Sequence, residues 1–291
     1  MGDFEGVEVL VQADAELGEG PVWDARSGRL AWVDILGRRL HLTDPKTGVT
    51  ESIETPLDIG AVAPRAAGGF IAALQDGFWI VGDGPARRVA TIPEARPGIR
   101  FNDGKCDPNG RFWAGTMEYA ENPGVACLYR LDTSGAVEKM LDDVSISNGL
   151  AWSHDGRTMF YIDTPNARVD AFAFSPETGA IADRRTAFQI AASAGWPDGM
   201  TIDAEGGLWI ALWDGGEVHR YVDGRLDRVI RLPVSRPTSC AFGGPDLDEL
   251  FVTSAWTRLS ADERAAQPLA GSLFRLRPGV RGVLPDTYRG V

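Results

Sequence analysis

One phrase recurs six times along the chain: an apolar strand, a polar turn and a second apolar strand. The copies lie at 20–35, 60–74, 102–117, 148–164, 198–213 and, in a degenerate form, 238–255. Their turns carry Gly28, Gly68, Gly110, Gly156, Gly206 and Asp248, at intervals of 40, 42, 46, 50 and 42 residues. Strands rich in Val, Ile, Phe and Trp around such turns are typical of β-hairpins. A repeat of this period constrains the fold strongly, because each unit must bury its apolar face against its neighbours.

Further strand-like runs follow the hairpins, for example at 126–133, 168–175 and 217–223. Four strands in a unit of about 40–45 residues are typical of a propeller blade. The sequence therefore predicts an all-β, six-bladed β-propeller that forms a single domain over residues 1–291. The run 7–12 lacks a partner, so we expect it to pair into the last blade and close the ring. An extended sandwich or a two-domain protein is the alternative.

Net charge and cysteine content indicate which binding partners and which cellular compartment to expect. The 291 residues include 29 basic and 41 acidic side chains, so the formal net charge is −12. Because an acidic surface repels phosphate backbones and anionic lipid, we expect neither nucleic acid nor a membrane as partner. The first sixteen residues do not resemble a signal peptide, and three scattered cysteines make no disulfide framework. We expect a cytoplasmic protein, with a monomer as the favoured state.

Polar residues recur at one offset in the repeat. Counting eight residues back from each turn position gives Gly20, Gly60, Asn102, Asn148, Asp198 and Cys240, with Glu19 next to Gly20. Since the inner strands of a propeller start near one face of the channel, we expect these positions to form a ring. Glu19, Asn102, Asn148 and Asp198 would supply carboxylate and carboxamide oxygens, which suit a hard divalent cation. Each residue alone also fits an ordinary turn or loop, and only the shared register favours a site.

Four motifs in this register resemble the SMP-30/gluconolactonase/regucalcin family. They are LGEGPVW (17–23), RFNDGKCDPNGRFWAGTM (100–117), SNGLAWSHDGRTMFYIDT (147–164) and PDGMTIDAEGGLWIALW (197–213), and PLAGSLFRL (268–276) is similar too. The resemblance covers nearly the whole chain and implies a six-bladed propeller with one divalent metal in its channel. It implies Glu19, Asn148 and Asp198 as metal ligands, and Arg100 and Asn102 as substrate-binding residues. Ca, Mg, Mn, Zn or Fe are candidates, and oxygen ligands favour the first three.

The resemblance also implies a reaction, the hydrolysis of a sugar lactone to its aldonic acid in carbohydrate catabolism. Glucono-, xylono- and arabinonolactone are candidate substrates. The metal would polarise the lactone carbonyl, Asp198 would be the catalytic general base, and Arg100 and Asn102 would hold sugar hydroxyls. Two alternatives stay open: a metal-dependent esterase or phosphotriesterase, and a non-catalytic calcium- or ligand-binding propeller. Ser-His-Asp hydrolysis fits poorly, because the chain has only three histidines and no GxSxG motif.

Three loops are expected to select the sugar, at 118–125, 193–197 and 255–268. Some family members have a substrate-contacting Glu after the GTM motif, and here Glu118 and Glu121 are both candidates. The nine tryptophans divide into two groups. Trp23, Trp113, Trp152 and Trp209 recur at matching positions and are predicted to pack between blades. Trp196, Trp213 and Trp256 are expected near the mouth, as walls for a sugar ring or as exposed loop residues.

Overall fold

Six four-stranded antiparallel sheets make up the computed structural model, which describes Phe4 and residues 6–290. The chain enters through β1 (Glu8–Val11). Blade 1 follows as β2 (Gly18–Asp24), β3 (Arg29–Asp34), β4 (Arg39–Thr43) and β5 (Thr50–Glu54). Blade 2 holds β6 (Ile59–Pro64), β7 (Phe70–Leu74), β8 (Gly77–Val81) and β9 (Arg87–Thr91). Blade 3 holds β10 (Ile99–Cys106), β11 (Phe112–Glu118), β12 (Ala126–Leu131) and β13 (Val137–Val144).

The second half repeats this plan. Blade 4 holds β14 (Ser147–Trp152), β15 (Thr158–Asp163), β16 (Arg168–Phe174) and β17 (Ile181–Gln189). Blade 5 holds β18 (Trp196–Ile202), β19 (Leu208–Trp213), β20 (Glu217–Val222) and β21 (Arg225–Arg231). Blade 6 holds β22 (Pro237–Gly243), β23 (Glu249–Ser254) and β24 (Leu273–Leu276). Two 3-10 turns (Thr164–Asn166 and Ala192–Ala194) and the short helix α1 (Ala261–Ala266) are the helical elements described.

The blades form a closed ring. Each inner strand contacts the inner strand of the next blade, in the cycle β2, β6, β10, β14, β18, β22 and back to β2. The sixth blade is completed by β1, which pairs antiparallel with β24 at Val9 and Phe274. The predicted six-bladed β-propeller, closed by the N-terminal strand, is therefore confirmed.

Apolar side chains fill the spaces between adjacent blades. Trp23, Trp113, Trp152 and Trp209 are all buried, as the repeat predicted. Trp113 and Trp152, from blades 3 and 4, meet edge to face with ring centroids 6.0 Å apart. Interfaces of this kind hold neighbouring inner strands at a fixed spacing, on which the geometry of the channel depends.

The C-terminal segment crosses one end of the channel. Gly282 N donates to Leu247 O at 2.7 Å in blade 6, and Tyr288 N donates to Pro64 O at 2.9 Å in blade 2. Arg289 N then donates to Gly110 O at 3.0 Å in blade 3. The segment therefore ties together hairpins from opposite sides of the ring. None of the helices in the described residues is long and apolar enough to cross a membrane.

Candidate functional site

All six inner strands carry a β-bulge at the same level of the channel. The pairing register shifts between Glu19 and Val22, Ile59 and Ala61, Phe101 and Gly104, Ser147 and Leu150, Pro197 and Met200, and Pro237 and Ser239. A bulge interrupts the alternation of a strand and turns a side chain in a new direction, often beside an active site. Four of these bulges supply the polar residues that the repeat selected. The bulges of blades 2 and 6 contain Gly60 and Thr238 instead.

The ring of bulges lies between two cavities. One cavity has a volume of about 400 Å³ and is lined by Glu19, Arg100, Asn102, Asn148 and Asp198. The other has about 370 Å³ and lies toward the C-terminal segment, where Asp103, Lys105 and Asp286 contribute to its wall. Every sequence-predicted site residue thus lies in the first cavity, which we call the mouth cavity. All five of those side chains are at most 6% exposed.

The mouth cavity has a hydrogen-bonded floor that links two blades. Arg100 Nη1 donates to Asn102 Oδ1 at 2.7 Å and to Phe101 O at 3.0 Å. Asn102 Nδ2 donates to Ser147 O at 2.8 Å and to Asn148 Oδ1 at 3.1 Å. Asn102 therefore helps to hold Asn148, besides lining the cavity.

The orientation of the Asn148 carboxamide is fixed by a residue that the motifs did not identify. Thr164 Oγ1 donates its hydrogen to Pro197 O at 2.8 Å, so it can only accept from Asn148 Nδ2, also at 2.8 Å. This leaves the Asn148 oxygen on the other side of the amide, next to Asn102. No spacing rule joins residue 164 to residue 148, because the contact follows from the turn after β15.

Two buried carboxyls face the mouth cavity, and the nearby Arg100 guanidinium opposes the rise in their pKa without cancelling it. Burial, with the charges of Asp198 and Asp103, raises the pKa of Glu19 well above its usual range. Burial and the charge of Asp103 raise the pKa of Asp198 in the same direction. Asp198 Oδ1 is buried and has no hydrogen-bond partner among the described residues. An unpartnered buried carboxylate oxygen is costly, and a bound cation would remove that cost.

The donor set fits a hard divalent cation. The described residues contain no cluster of three or more His, Cys, Asp or Glu side chains, and the residues that line the mouth cavity include neither His nor Cys. Two carboxylates, from Glu19 and Asp198, and the Asn148 carboxamide oxygen are the oxygen donors brought together. Calcium, magnesium and manganese prefer such ligands.

Glycine follows several of these polar residues for a steric reason. A Cβ on Gly149 would lie 2.9 Å from Asp198 O, and one on Gly199 would lie 2.7 Å from Ser239 Cα. Neighbouring inner strands therefore approach so closely that the residue after Asn148 or Asp198 cannot carry a side chain. The Asn-Gly and Asp-Gly pairs are packing devices here, and the ordinary turn interpretation does not apply.

The structure also shows where Cys240 and the two glutamates that follow the GTM motif lie. The register predicted Cys240 on the ring, but Cys240 is buried against Trp209 O at 3.5 Å and Thr238 occupies the bulge. The prediction was wrong for two reasons. The left-handed residue of the sixth turn is Leu247 (φ 55°), one place before Asp248, and the bulge of β22 lies nine residues before Leu247 instead of eight. Glu121 lines the mouth cavity, whereas Glu118 accepts from Asn122 Nδ2 at 2.6 Å outside it.

Aromatic residues complete the wall. Trp196 and Trp213 line the mouth cavity, as expected, and Trp196 is half exposed. Trp256 instead donates its indole N–H to Asp14 O at 3.0 Å. Sequence reasoning missed Tyr119, whose ring lies 5.8 Å from the Arg100 guanidinium and whose hydroxyl donates to Asp58.

Comparisons with known proteins agree with this geometry. Residues 17–256 match the family model described as SMP-30/Gluconolactonase/LRE-like region. Regucalcin of Xenopus laevis is 39% identical over 294 residues, with 98% of each chain covered. A Bacillus subtilis protein provisionally named a sugar lactone lactonase, YvrE, is 37% identical, with 98% of this chain and 99% of that one covered. A crystal structure of regucalcin from Agrobacterium tumefaciens, described as a calcium-binding protein, has a TM-score of 0.93 at 33% identity, with 98% of both chains covered. The chain belongs to the SMP-30/gluconolactonase/LRE-like family.

Proposed function

We propose that this protein hydrolyses a sugar lactone to its aldonic acid with the help of one divalent metal ion. The observation that carries the proposal is the pair of buried carboxyls, Glu19 and Asp198, of which Asp198 Oδ1 has no described partner. Such an arrangement destabilises the metal-free protein, so it is expected where a cation is bound. The name of the Bacillus relative supports a lactone as substrate.

Glu19, Asn148 and Asp198 are the residues that we assign to the metal. A bound divalent cation would supply Lewis-acid polarisation of the lactone carbonyl and a lower pKa for a bound water molecule. A carboxylate oxygen of Asp198 would take the proton of the attacking water. The acyl carbon gains the hydroxyl, the bond to the ring oxygen breaks, and that oxygen receives the proton.

Arg100 is assigned to substrate binding. Its Nη1 is committed to Phe101 O and Asn102 Oδ1, but a guanidinium has five donor hydrogens. The remaining donors could serve the oxygens of a sugar, and the Tyr119 ring lies beside the guanidinium, with its centroid 5.8 Å from Arg100 Cζ. Asn102 would contribute to the same region, although the oxygen and the nitrogen of its carboxamide already have protein partners.

The shape of the mouth cavity suits a small polyhydroxylated ligand. About 400 Å³ lies in the lower part of the range for small-molecule sites. Trp196 and Trp213 offer apolar faces against which a sugar ring could pack. Calcium binding without catalysis is the second candidate, and the oxygen-only donor set favours it as much as it favours a calcium-dependent reaction.

The test is proton release from a panel of aldonolactones (glucono, xylono, arabinono and galactono). The protein is stripped with EDTA, and Ca²⁺, Mg²⁺, Mn²⁺, Zn²⁺ or Fe²⁺ is added back singly. We expect no turnover without metal and turnover of at least one lactone with metal. The aldonic acid ionises at neutral pH, so each turnover releases one proton.

Two variants test whether turnover depends on the mouth cavity. Asp198→Ala should abolish turnover, and wild-type activity in that variant would exclude the mechanism. Asp286→Asn changes a carboxyl of the opposite cavity and should keep full activity. Metal binding without turnover of any lactone by the folded wild type would favour the calcium-binding candidate.

A further inference from the structure

An ion pair spans the mouth cavity. Arg258 Nη2 lies 2.5 Å from Glu121 Oε1. Glu121 belongs to the loop between β11 and β12 in blade 3, and Arg258 to the loop between β23 and β24 in blade 6. In a ring of six blades these two are three places apart, so they face each other across the channel. Both side chains line the mouth cavity. The pair therefore crosses the cavity that the predicted metal ligands also line, and we call it the mouth bar.

The blade 6 end of the mouth bar is firmly anchored. The backbone N–H groups of Trp256 and Thr257 donate to Glu16 O, at 3.2 and 2.9 Å. Arg236 Nη1 donates to Thr257 O at 2.6 Å, and Arg236 Nε contacts Asp214 at 2.6 Å. The residue next to Arg258 is thus held from two neighbouring blades. The position of the Arg258 backbone therefore does not depend on the ion pair with Glu121.

The blade 3 end is held by its own turn. Glu121 N donates to Glu118 O at 2.9 Å, and Asn122 is tied to the Glu118 side chain. Glu121 and Arg258 both have left-handed backbones, with φ of 57° and 64°. Few residues other than glycine adopt this conformation, and where it persists the surroundings enforce it, often at ligand clamps. Both loops therefore have a constrained backbone at the residue that supplies the charged side chain.

We propose that the mouth bar determines substrate size: it admits lactones of a single sugar ring and discriminates against lactones that carry a second sugar. This inference rests on the proposed lactonase activity. A ligand seated on Glu19, Asn148 and Asp198 has the bar above it, so a glycosidic substituent directed outward would have to displace the pair. The Arg258 side chain is 54% exposed and the Glu121 side chain 35%, so solvent and salt weaken their attraction. The bar can therefore open for exchange of substrate and product.

The test compares gluconolactone with lactobionolactone, which is gluconolactone carrying a galactosyl group. The measured quantity is the ratio of kcat/KM for the small lactone to that for the large one. We expect Glu121→Ala and Arg258→Ala each to lower this ratio about fivefold, the bias that an exposed ion pair can exert. The change should appear mainly in KM for lactobionolactone. The charge exchange Glu121→Arg with Arg258→Glu should restore the wild-type ratio.

Arg29→Gln is the matched control. It breaks the Arg29–Glu51 pair, which is 2.9 Å long and similarly exposed but lies on blade 1 outside the mouth cavity. This variant should keep the wild-type ratio. Raising the salt concentration to about 1 M should lower the ratio of the wild type and leave that of Arg258→Ala unchanged.

Failures of the two proposals are distinguishable. Turnover of gluconolactone with an unaltered ratio in both alanine variants would overturn the mouth bar and leave the lactonase proposal standing. Absence of turnover of either lactone by the metal-loaded wild type would overturn the lactonase proposal and, with it, the specificity inference.

Discussion

Thr164 holds the carboxamide of Asn148 by accepting from its Nδ2 at 2.8 Å, while its own hydroxyl hydrogen is donated to Pro197 O. Pro197 directly precedes Asp198, so one hydroxyl joins the strands that supply two of the proposed metal ligands. The hydroxyl fixes which atom of Asn148 is presented to the cavity. It also fixes the spacing between blades 4 and 5 at that level.

Thr164→Val should therefore weaken metal binding. The substitution conserves volume but leaves Asn148 Nδ2 and Pro197 O without their partner. Losing such a supporting hydrogen bond typically lowers metal affinity about 10–100-fold. Isothermal titration with Ca²⁺ or Mn²⁺ measures the change. Thr164→Ser keeps the hydroxyl and should bind metal like the wild type, and equal affinity in the Val variant would show that Asn148 orients itself.

Replacing the Asp198 carboxyl should have opposite effects on the thermal stability of the metal-free and the metal-loaded protein. Burial raises the pKa of this carboxyl, so folding disfavours its charged form when no cation is present. We expect Asp198→Asn to raise the Tm of the EDTA-treated protein and to abolish the increase in Tm that metal causes in the wild type. Thermal denaturation with and without metal measures both.

Asp286→Asn is the matched comparison for that experiment. Burial raises the pKa of Asp286 to about 6, so this substitution should also stabilise the protein at pH 7. Protonated Asp286 contributes to the free energy of unfolding at acid pH. That contribution is lost as the pH rises from 3.8 through about 6. Because Asp286 lies in the opposite cavity, the metal response of the Tm should stay intact. A lost response in this variant would indicate that the two cavities are coupled.

Gly199→Ala should damage the site through packing. The added Cβ would lie 2.7 Å from the Ser239 backbone, so the strands β18 and β22 must separate. Overpacking of this kind costs about 1–3 kcal/mol of folding free energy. We expect a lower Tm together with weaker metal binding, because Asp198 is the preceding residue. Gly98→Ala, where the nearest atom is a side-chain oxygen at 3.7 Å, is the control and should be close to neutral.

His41 should make the protein acid-sensitive. Burial lowers its pKa from 6.5 to about 4, and the ring stacks on Trp32 with centroids 4.2 Å apart. The unfolded chain takes up the proton first, so folding stability is lost as pH falls from 6.5 toward 4. The shift corresponds to about 3 kcal/mol.

Urea denaturation between pH 7 and pH 4 tests this expectation. His41→Gln should flatten the pH dependence of the unfolding free energy, whatever it does to the stability at pH 7. An unchanged slope in His41→Gln would assign the acid sensitivity to other groups.

The repeat in the sequence predicted much of the fold and of the candidate site. A turn at intervals of 40–50 residues placed Glu19, Asn102, Asn148 and Asp198 on one ring, and all four line one cavity. The period works because consecutive blades must superpose for their apolar faces to pack. It does not reveal the bulges, since a bulge changes the register of a strand without altering its composition.

Contacts between units were beyond sequence reasoning. Thr164 reaches Asn148 through a turn, and Arg258 meets Glu121 from the opposite blade, across 137 positions of sequence. No periodic rule relates such pairs, because their proximity follows from ring closure. The degenerate sixth turn shows the limit of counting. Its left-handed residue is Leu247 and its hairpin is one residue longer than the others, so the count from Asp248 ended on Cys240 instead of Thr238.

The pairing of Val9 with Phe274 has a consequence for synthesis of the chain. The strand β1 leaves the ribosome long before β24, and finds this partner only when the last blade has been made. Until then five blades form an open arc whose inner end strands, β2 and β18, lack their common neighbour β22. Contacts so distant in sequence slow folding and expose strand edges meanwhile. The nascent chain therefore depends most on protection from aggregation just before β24 emerges and pairs with β1.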